Sequence, residues 1–310
     1  MKLSDLVHFK NQLDLLSSAE AKRVAGMELD KVTHLMNQYD NFDDAAKVLN
    51  REIESVNHAF DQFESTIGRL KDQVNQQISE NEKERFIASY TLYEGMMRNE
   101  TTEYILDRRM ELPPEIDHSL RARLHLYADW KYPAMIIRPG REDFIKDMVS
   151  FDPLYLIDQN YDLLEPAVSY FPEAYQNRLC KYTVNERDEE LFTKVPNGQF
   201  GLCFAYNFFN FRPFEVLRKY LEEIYTKLRP GGVLIMTFND CDRGSAVALA
   251  ESFFCCYTPG YLVRDLATNI GFDIEFSWND LGPSTWIEFR KPGKLESIRG
   301  GQTLAKIVSK

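Results

Sequence analysis

The sequence predicts an α/β fold: a doubly wound, mostly parallel sheet that finishes in an antiparallel hairpin, preceded by an all-α coiled-coil region. Three observations carry this. Phe200–Asp240 reads FGLCFAYNFFNFRPFEVLRKYLEEIYTKLRPGGVLIMTFND. That is a buried strand, a loop, an amphipathic helix, a Pro-Gly-Gly turn and a second buried strand, the pattern of a right-handed crossover between parallel strands. Strand and helix patterns alternate from Tyr132 onward. Before about residue 110 there is almost no glycine or proline and very little strand signal.

The N-terminal part is helical in pattern. Apolar residues at Leu49, Ile53, Val56, Phe60, Phe63, Ile67, Leu70 and Val74 are spaced four and three in alternation, a 3.5-residue repeat. A helix that only lies on its own domain shows a wider stripe, so the Leu49–Gln77 heptads are expected to form a coiled coil and a homo-oligomer. A shorter helix over Leu29, Val32, Met36 and Tyr39, with Asn41 or Asp43 capping the next, offers an intramolecular hairpin instead. Helix continues over Phe86–Met110, breaks at Leu112-Pro113-Pro114 and resumes over Glu115–Trp130.

Strands follow near Ala134–Ile137, Leu154–Ile157, Cys180–Val184, Gly201–Tyr206 and Val233–Phe238. Helices lie between them near Glu142–Val149, Leu163–Arg178 and Phe214–Leu228. A helix at Leu262–Ile270 then leads to strands Asp273–Trp278 and Thr285–Arg290, joined by the Asn279–Pro283 turn. The expected organisation is a helical oligomerisation region over 1–110, an α/β domain over 111–292 and a tail over 293–310.

Composition excludes several classes. The 310 residues carry a net charge of −11, against a chain whose main partner is nucleic acid. No apolar run reaches the roughly 18–20 residues that span a bilayer, and charges interrupt the N-terminal apolar residues, so neither a membrane span nor a secretory signal is expected. The five cysteines (180, 203, 241, 255 and 256) show no paired spacing, which points to free thiols and a reducing, cytoplasmic setting. The histidines and cysteines lack metal-site spacing; His118 and His125 are seven apart, and no metal is expected. Cys255-Cys256 reads as buried packing.

The five parallel strands, the Pro-Gly-Gly before the fifth and the terminal hairpin together resemble the class I S-adenosylmethionine-dependent methyltransferases over Asp129–Pro292. More narrowly, YADWKYPAMIIRPG, DPLYLID, FNFRPFEVLRKYLEEIYTKLRPGGVLIMTFNDCDR and WIEFRKPGKL are similar to a methyltransferase-like family of tailed phages. The resemblance implies a cofactor loop after the first strand, where glycines let the backbone approach the ligand. Here the loop is Arg138-Pro139-Gly140-Arg141-Glu142. Gly140 is kept, while Arg138 and Glu142 stand where the first and third glycines would be, a degenerate loop. The resemblance also implies a ribose-binding acid at the end of strand two: Asp158 fits it, with Gln159 beside it. Asp188, Glu189 and Glu190 read as a solvated loop near the adenine position.

At the fourth strand's end, Tyr206, Asn207, Asn239, Asp240 and Asp242 line the expected ligand edge. Tyr206 and Asn207 are the candidates for positioning a methyl acceptor; no residue is assigned a catalytic role by spacing. Asn207-Phe208-Phe209 lacks the two prolines of base-modifying amino-methyltransferases, so Phe208, Phe209 and Phe211 read as core or pocket wall. Asp240 and Asp242 read as loop caps. Arg138 and Arg141 are candidates for a phosphate at the following helix. Three functions stay open: a non-catalytic structural or assembly protein with virion partners, an active methyltransferase, and a phosphate- or nucleotide-binding module.

Overall fold

The computed structural model describes residues 2–15, 23, 34, 42–99, 114–139 and 144–294. The chain forms two compact units, Met1–Glu84 and Arg85–Lys310. The expected helix over 29–39 and the tail beyond 294 lie outside the described residues. No helix among the described residues is long and apolar enough to cross a membrane.

In the first unit, residues 3–15 are helical and α1 (Phe42–Asn99) begins. The start at Phe42 places Asp43 within the first turn of α1. Of the heptad positions, Ile67 and Val74 are buried, and Ile53, Val56, Phe60, Phe63 and Leu70 half-buried. This cover comes from the chain itself. Leu3, Leu6, Val7 and Leu13 are buried, and Asp14 pairs with Lys71 at 2.7 Å.

In the second unit, α2 (Pro114–His125) leads into β1 (Ala134–Ile137), a 3-10 turn (Ile145–Ser150) and β2 (Leu154–Asp158). Next come α3 (Tyr161–Ser169), α4 (Glu173–Gln176), β3 (Leu179–Thr183), β4 (Phe200–Ala205) and a 3-10 turn (Phe209–Phe211). The remainder is α5 (Phe214–Lys227), β5 (Leu228–Asn239), α6 (Gly244–Glu251), α7 (Gly260–Ile270), β6 (Asp273–Leu281) and β7 (Ser284–Arg290). The sheet order is β3-β2-β1-β4-β5-β7-β6; β1 to β5 pair in parallel and β7 runs antiparallel to both neighbours. This is the expected doubly wound sheet with an antiparallel edge.

Side-chain alternation along each strand builds two cores. Met135, Ile137, Cys203, Ala205, Leu234 and Met236 face α5 and α7, meeting Leu217, Leu221, Ile224 and Val263. Ala134, Ile136, Leu202, Phe204, Val233 and Ile235 face the other way, toward Leu120, Leu124, Phe144, Met148 and Leu164. Burial on both faces explains why these strands read as unbroken apolar runs. Each large side chain so buried contributes about 1.5–3 kcal/mol.

Three expectations need correction. The single helix over Leu163–Arg178 is two helices, α3 and α4, because Pro172 cannot continue the backbone ladder and disfavours helix at Phe171. The helix at Glu142–Val149 is, over its described residues, a 3-10 turn entered through Phe144 at φ 51°. Pro230-Gly231-Gly232 is a looped-out part of β5 rather than a turn before it: pairing jumps from Phe200–Leu228 to Leu202–Val233. Gly231 sits at φ 80°, and a Cβ on Gly232 would stand 2.7 Å from the Phe200 carbonyl. Helix α6 stands just before Phe253–Cys256, where a helix end is expected, and it stops at Glu251 with Ser252 as its cap.

Candidate functional site

The sheet order reverses between β1 and β4, the switch point at which doubly wound sheets open a crevice at their carboxyl edge. A cavity of about 690 Å³ lies along the β1–β2–β3 half of that edge. Its walls include Arg138, Asp158, Gln159, Thr183, Val184 and Arg212, and also Tyr93, Met96 and Met97 from the end of α1.

Local backbone chemistry shapes the floor. Where β1 ends, Arg138 takes a left-handed conformation (φ 54°) and its N–H donates to the Ile157 carbonyl at 2.6 Å. This is the position at which the resemblance implies glycine, and the backbone keeps a geometry that glycine adopts without penalty. One strand over, Asp158 is 7% exposed. Its Oδ1 accepts the Asn160 N–H at 3.0 Å, and Asn160 Oδ1 in turn accepts the Asp162 N–H at 2.9 Å, capping α3. The other carboxylate oxygen, Oδ2, is buried without a hydrogen-bond partner, as is Gln159 Nε2. Burial pushes the Asp158 carboxyl upward; the Asn160 N–H and the nearby Arg138 and Arg212 charges oppose this without cancelling it.

A second acid anchors the wall. Glu186, beyond β3, has a fully buried side chain. Its Oε1 accepts from Arg212 Nε at 2.7 Å and from the Tyr220 hydroxyl at 2.9 Å; its Oε2 accepts from the Tyr93 hydroxyl at 2.7 Å. Burial alone would lower the Arg212 pKa, but the Glu186 carboxylate raises it above its ordinary value, so the guanidinium stays charged. Burial and then the Glu186 charge push the Tyr93 phenol up, so it stays a donor. Removing one member of such a buried pair costs about 3–5 kcal/mol.

Of the residues singled out by sequence, Asp158, Arg138 and Gln159 share the cavity. Gly140, Arg141 and Glu142 lie outside the described residues. Tyr206 and Asn207 do not line this cavity. The Tyr206 ring packs edge-on against Phe144 at 4.8 Å. Asn207, at φ 50°, donates its N–H to Thr237 Oγ1 at 2.6 Å and accepts from Asn210 Nδ2 at 2.9 Å. Phe208, Phe209 and Phe211 are buried, as are Cys255 and Cys256. Asn239 Nδ2 donates to the Ala246 and Cys256 carbonyls, both at 3.0 Å. Asp188, Glu189 and Glu190 are exposed.

The sequence reading missed Glu186, Arg212 and the helix residues. Glu186 was findable: Tyr182, Val184 and Glu186 alternate as a strand's inner face does, and the last two are buried. Tyr93, Met96 and Met97 show the i, i+3, i+4 spacing of one helix face, yet spacing does not say what that face covers.

No protein-family model matches the chain, and no curated protein matches it. Solved structures do resemble it. A protein described as a possible exported protein from Bordetella parapertussis is 13% identical, with 59% of this chain and 69% of that one covered and a TM-score of 0.47. An S-adenosylmethionine-dependent methyltransferase from Mesorhizobium loti is 12% identical, with coverage of 55% and 96% and a TM-score of 0.42. An O-methyltransferase family protein from Burkholderia thailandensis is 10% identical, with coverage of 58% and 57% and a TM-score of 0.46.

Proposed function

We propose that the α/β domain binds a nucleoside-type ligand, the adenosine part of S-adenosylmethionine or of its demethylated product S-adenosylhomocysteine. In this reading it serves as a binding or assembly module rather than as an efficient methyltransferase. The observation that carries it is Asp158: a buried strand-end carboxylate beside a 690 Å³ cavity, with one oxygen bonded inside the protein and the other lacking a hydrogen-bond partner. A ribose hydroxyl supplies the missing donor, so the ribose side of the cofactor site fits the residues present.

The other side of the site fits less well. S-adenosylmethionine, when bound, supplies a methyl group on a positively charged sulfur. Arg138 brings a guanidinium and a long side chain to the strand end where the resemblance implies clearance. Methyl transfer depends mainly on positioning, and the described lining residues contain no histidine, lysine or cysteine. What they offer is hydroxyl acceptance, apolar cover and charge.

Titration calorimetry of the full chain tests this. S-adenosylhomocysteine should bind with micromolar affinity, and Asp158→Ala should weaken it at least tenfold, about 1.4 kcal/mol or more. No heat at millimolar ligand would remove the binding reading and leave a purely structural domain.

A second reading concerns the helical region. The half-buried heptad positions from Ile53 to Leu70 support assembly of this chain into a homo-oligomer through Leu49–Gln77. The likeness of its motifs to a tailed-phage family supports a role in virion assembly, in the host cytoplasm or the particle. Light scattering on Phe60→Asp with Ile67→Asp should show a smaller mass than the parent; a parent already monomeric would sink the oligomer.

A further inference from the structure

The end of α1 is held to the α/β domain by one helical face. Phe86 packs edge-on against Tyr257 at 5.3 Å and Phe214 at 6.4 Å. Ser89 Oγ accepts the Tyr257 N–H at 2.7 Å, and the Tyr93 hydroxyl donates to the buried Glu186 carboxylate. Glu94 pairs with Arg187 at 3.3 Å. The spacing 86, 89, 93 continues to 96 and 97, which pack in a cluster with Phe211 and Cys255 and, with Tyr93, also line the cavity. Met96 is 9% exposed and Met97 half-buried, and both lie along the wall with Tyr93 and Val184.

The wall is divided chemically. On the β2 side stand Asp158 and Asn160, which serve hydroxyls. On the helix side stand two thioethers and a phenol ring, whose hydroxyl is committed to Glu186 and whose face the Arg212 guanidinium meets at 5.8 Å; Val184 lies past β3. Methionine is unbranched and polarizable, and sulfur–aromatic contacts are worth about 0.3–1.5 kcal/mol each. A ligand suited to both halves has a sugar at one end and a flat, weakly polar ring at the other.

We infer that Met96 and Met97, held in place by the Tyr93–Glu186 hydrogen bond, form the base-binding wall of this site, so that the end of α1 selects a heteroaromatic base and is itself stabilised when one binds. The inference rests on the nucleoside reading above and adds which residues meet the base. It also implies reciprocity: a ligand that binds only the docked helix must protect that helix from opening.

The test uses the full chain with adenosine, which has only base and ribose, and with S-adenosylhomocysteine. Met96→Ala with Met97→Ala should weaken both ligands by a similar factor, about fivefold to tenfold, because the shared base is what loses its wall. Met96→Leu with Met97→Leu, which preserves volume, should restore most of the affinity. In parallel, saturating adenosine should slow hydrogen exchange of the amides in residues 86–97 of the parent by fivefold or more. Should the alanine pair fail to fold, the leucine pair and the exchange measurement decide. Unchanged affinity in a folded alanine pair, or exchange at 86–97 indifferent to bound adenosine, overturns the inference while leaving Asp158-dependent binding intact. A parent that binds neither ligand overturns the nucleoside reading, and the base wall with it.

Discussion

Asp158 and Asp240 are both aspartates at the carboxyl end of a parallel strand, both nearly inaccessible, and they do opposite things. Asp240 is saturated: Oδ1 accepts the Asp242 N–H at 3.2 Å, while Oδ2 takes the Thr285 hydroxyl at 2.7 Å and Arg264 Nη2 at 3.2 Å. Its carboxylate ties β5 to β7 and α7. Asp158 Oδ1 accepts the Asn160 N–H, and Oδ2 is buried beside a cavity. A buried acceptor left without a donor costs about 1–3 kcal/mol, more when charged. Residues retained at that cost point to a ligand more strongly than residues whose hydrogen bonds are complete. The cavity and the unpartnered acceptor thus both lie at the β1–β3 half of the sheet's carboxyl edge. The β4–β5 end, which the crossover sequence first brings to notice, is used for holding the fold together.

The widest separation between the two aspartates should appear in stability. Asp240→Ala removes the short acceptor of the Thr285 hydroxyl and one of the two carboxylates that hold Arg264, Asp242 remaining at 3.1 Å, and should cost about 2 kcal/mol in urea unfolding. A loss below about 1 kcal/mol would dissolve the contrast. Asp158→Asn should act in the other direction, gaining about 1 kcal/mol at pH 7, since it removes a buried charge and keeps the oxygen that caps Asn160. The sign follows from linkage. The folded-state pKa of Asp158 is raised, so the folded state holds this proton longer than the unfolded chain and loses stability as pH climbs through that interval. The advantage of Asp158→Asn should thus grow as pH rises above the ordinary carboxylate range near pH 4 and disappear below it. A gain that persists unchanged at pH 3 would mean that charge burial is not its source.

The smallest effect concerns the backbone beside Asp158. Arg138→Gly, at φ 54°, should stabilise by about 0.5–1 kcal/mol by relieving left-handed strain. Asn207→Gly, at φ 50°, should gain less, because asparagine tolerates that region. Equal shifts in melting temperature for the two would show that Arg138 carries no extra strain at the site.

Much of the fold could be read from the chain. The strands over Ala134–Ile137, Leu154–Asp158 and Ser284–Arg290 lie within a residue of where apolar runs and turn residues place them. Local rules suffice for that, since a strand buried on both faces must be apolar throughout and a parallel pair needs a crossover. Breaks set by proline and glycine were harder to judge, as Pro172 and Gly231-Gly232 show: a residue's conformational restriction is local, but whether the chain ends, splits or bulges there depends on what it packs against.

The candidate site was half legible. Asp158 and Arg138 follow from strand ends, which sequence locates. The sequence by itself determined the parallel sheet, its carboxyl edge, the unusual arginine after β1 and the long helix with its heptads, because periodicity and residue type encode these over short spans. Only the tertiary structure decided that Asp240 is satisfied by Thr285, 45 residues away, whereas Asp158 keeps an oxygen to spare. It likewise decided that Glu186 turns inward to Arg212 and that Tyr93, 93 residues before Glu186, reaches it across the cavity wall. Hydrogen-bond satisfaction is a property of a site's whole surroundings, and those surroundings are assembled from segments that are distant in sequence.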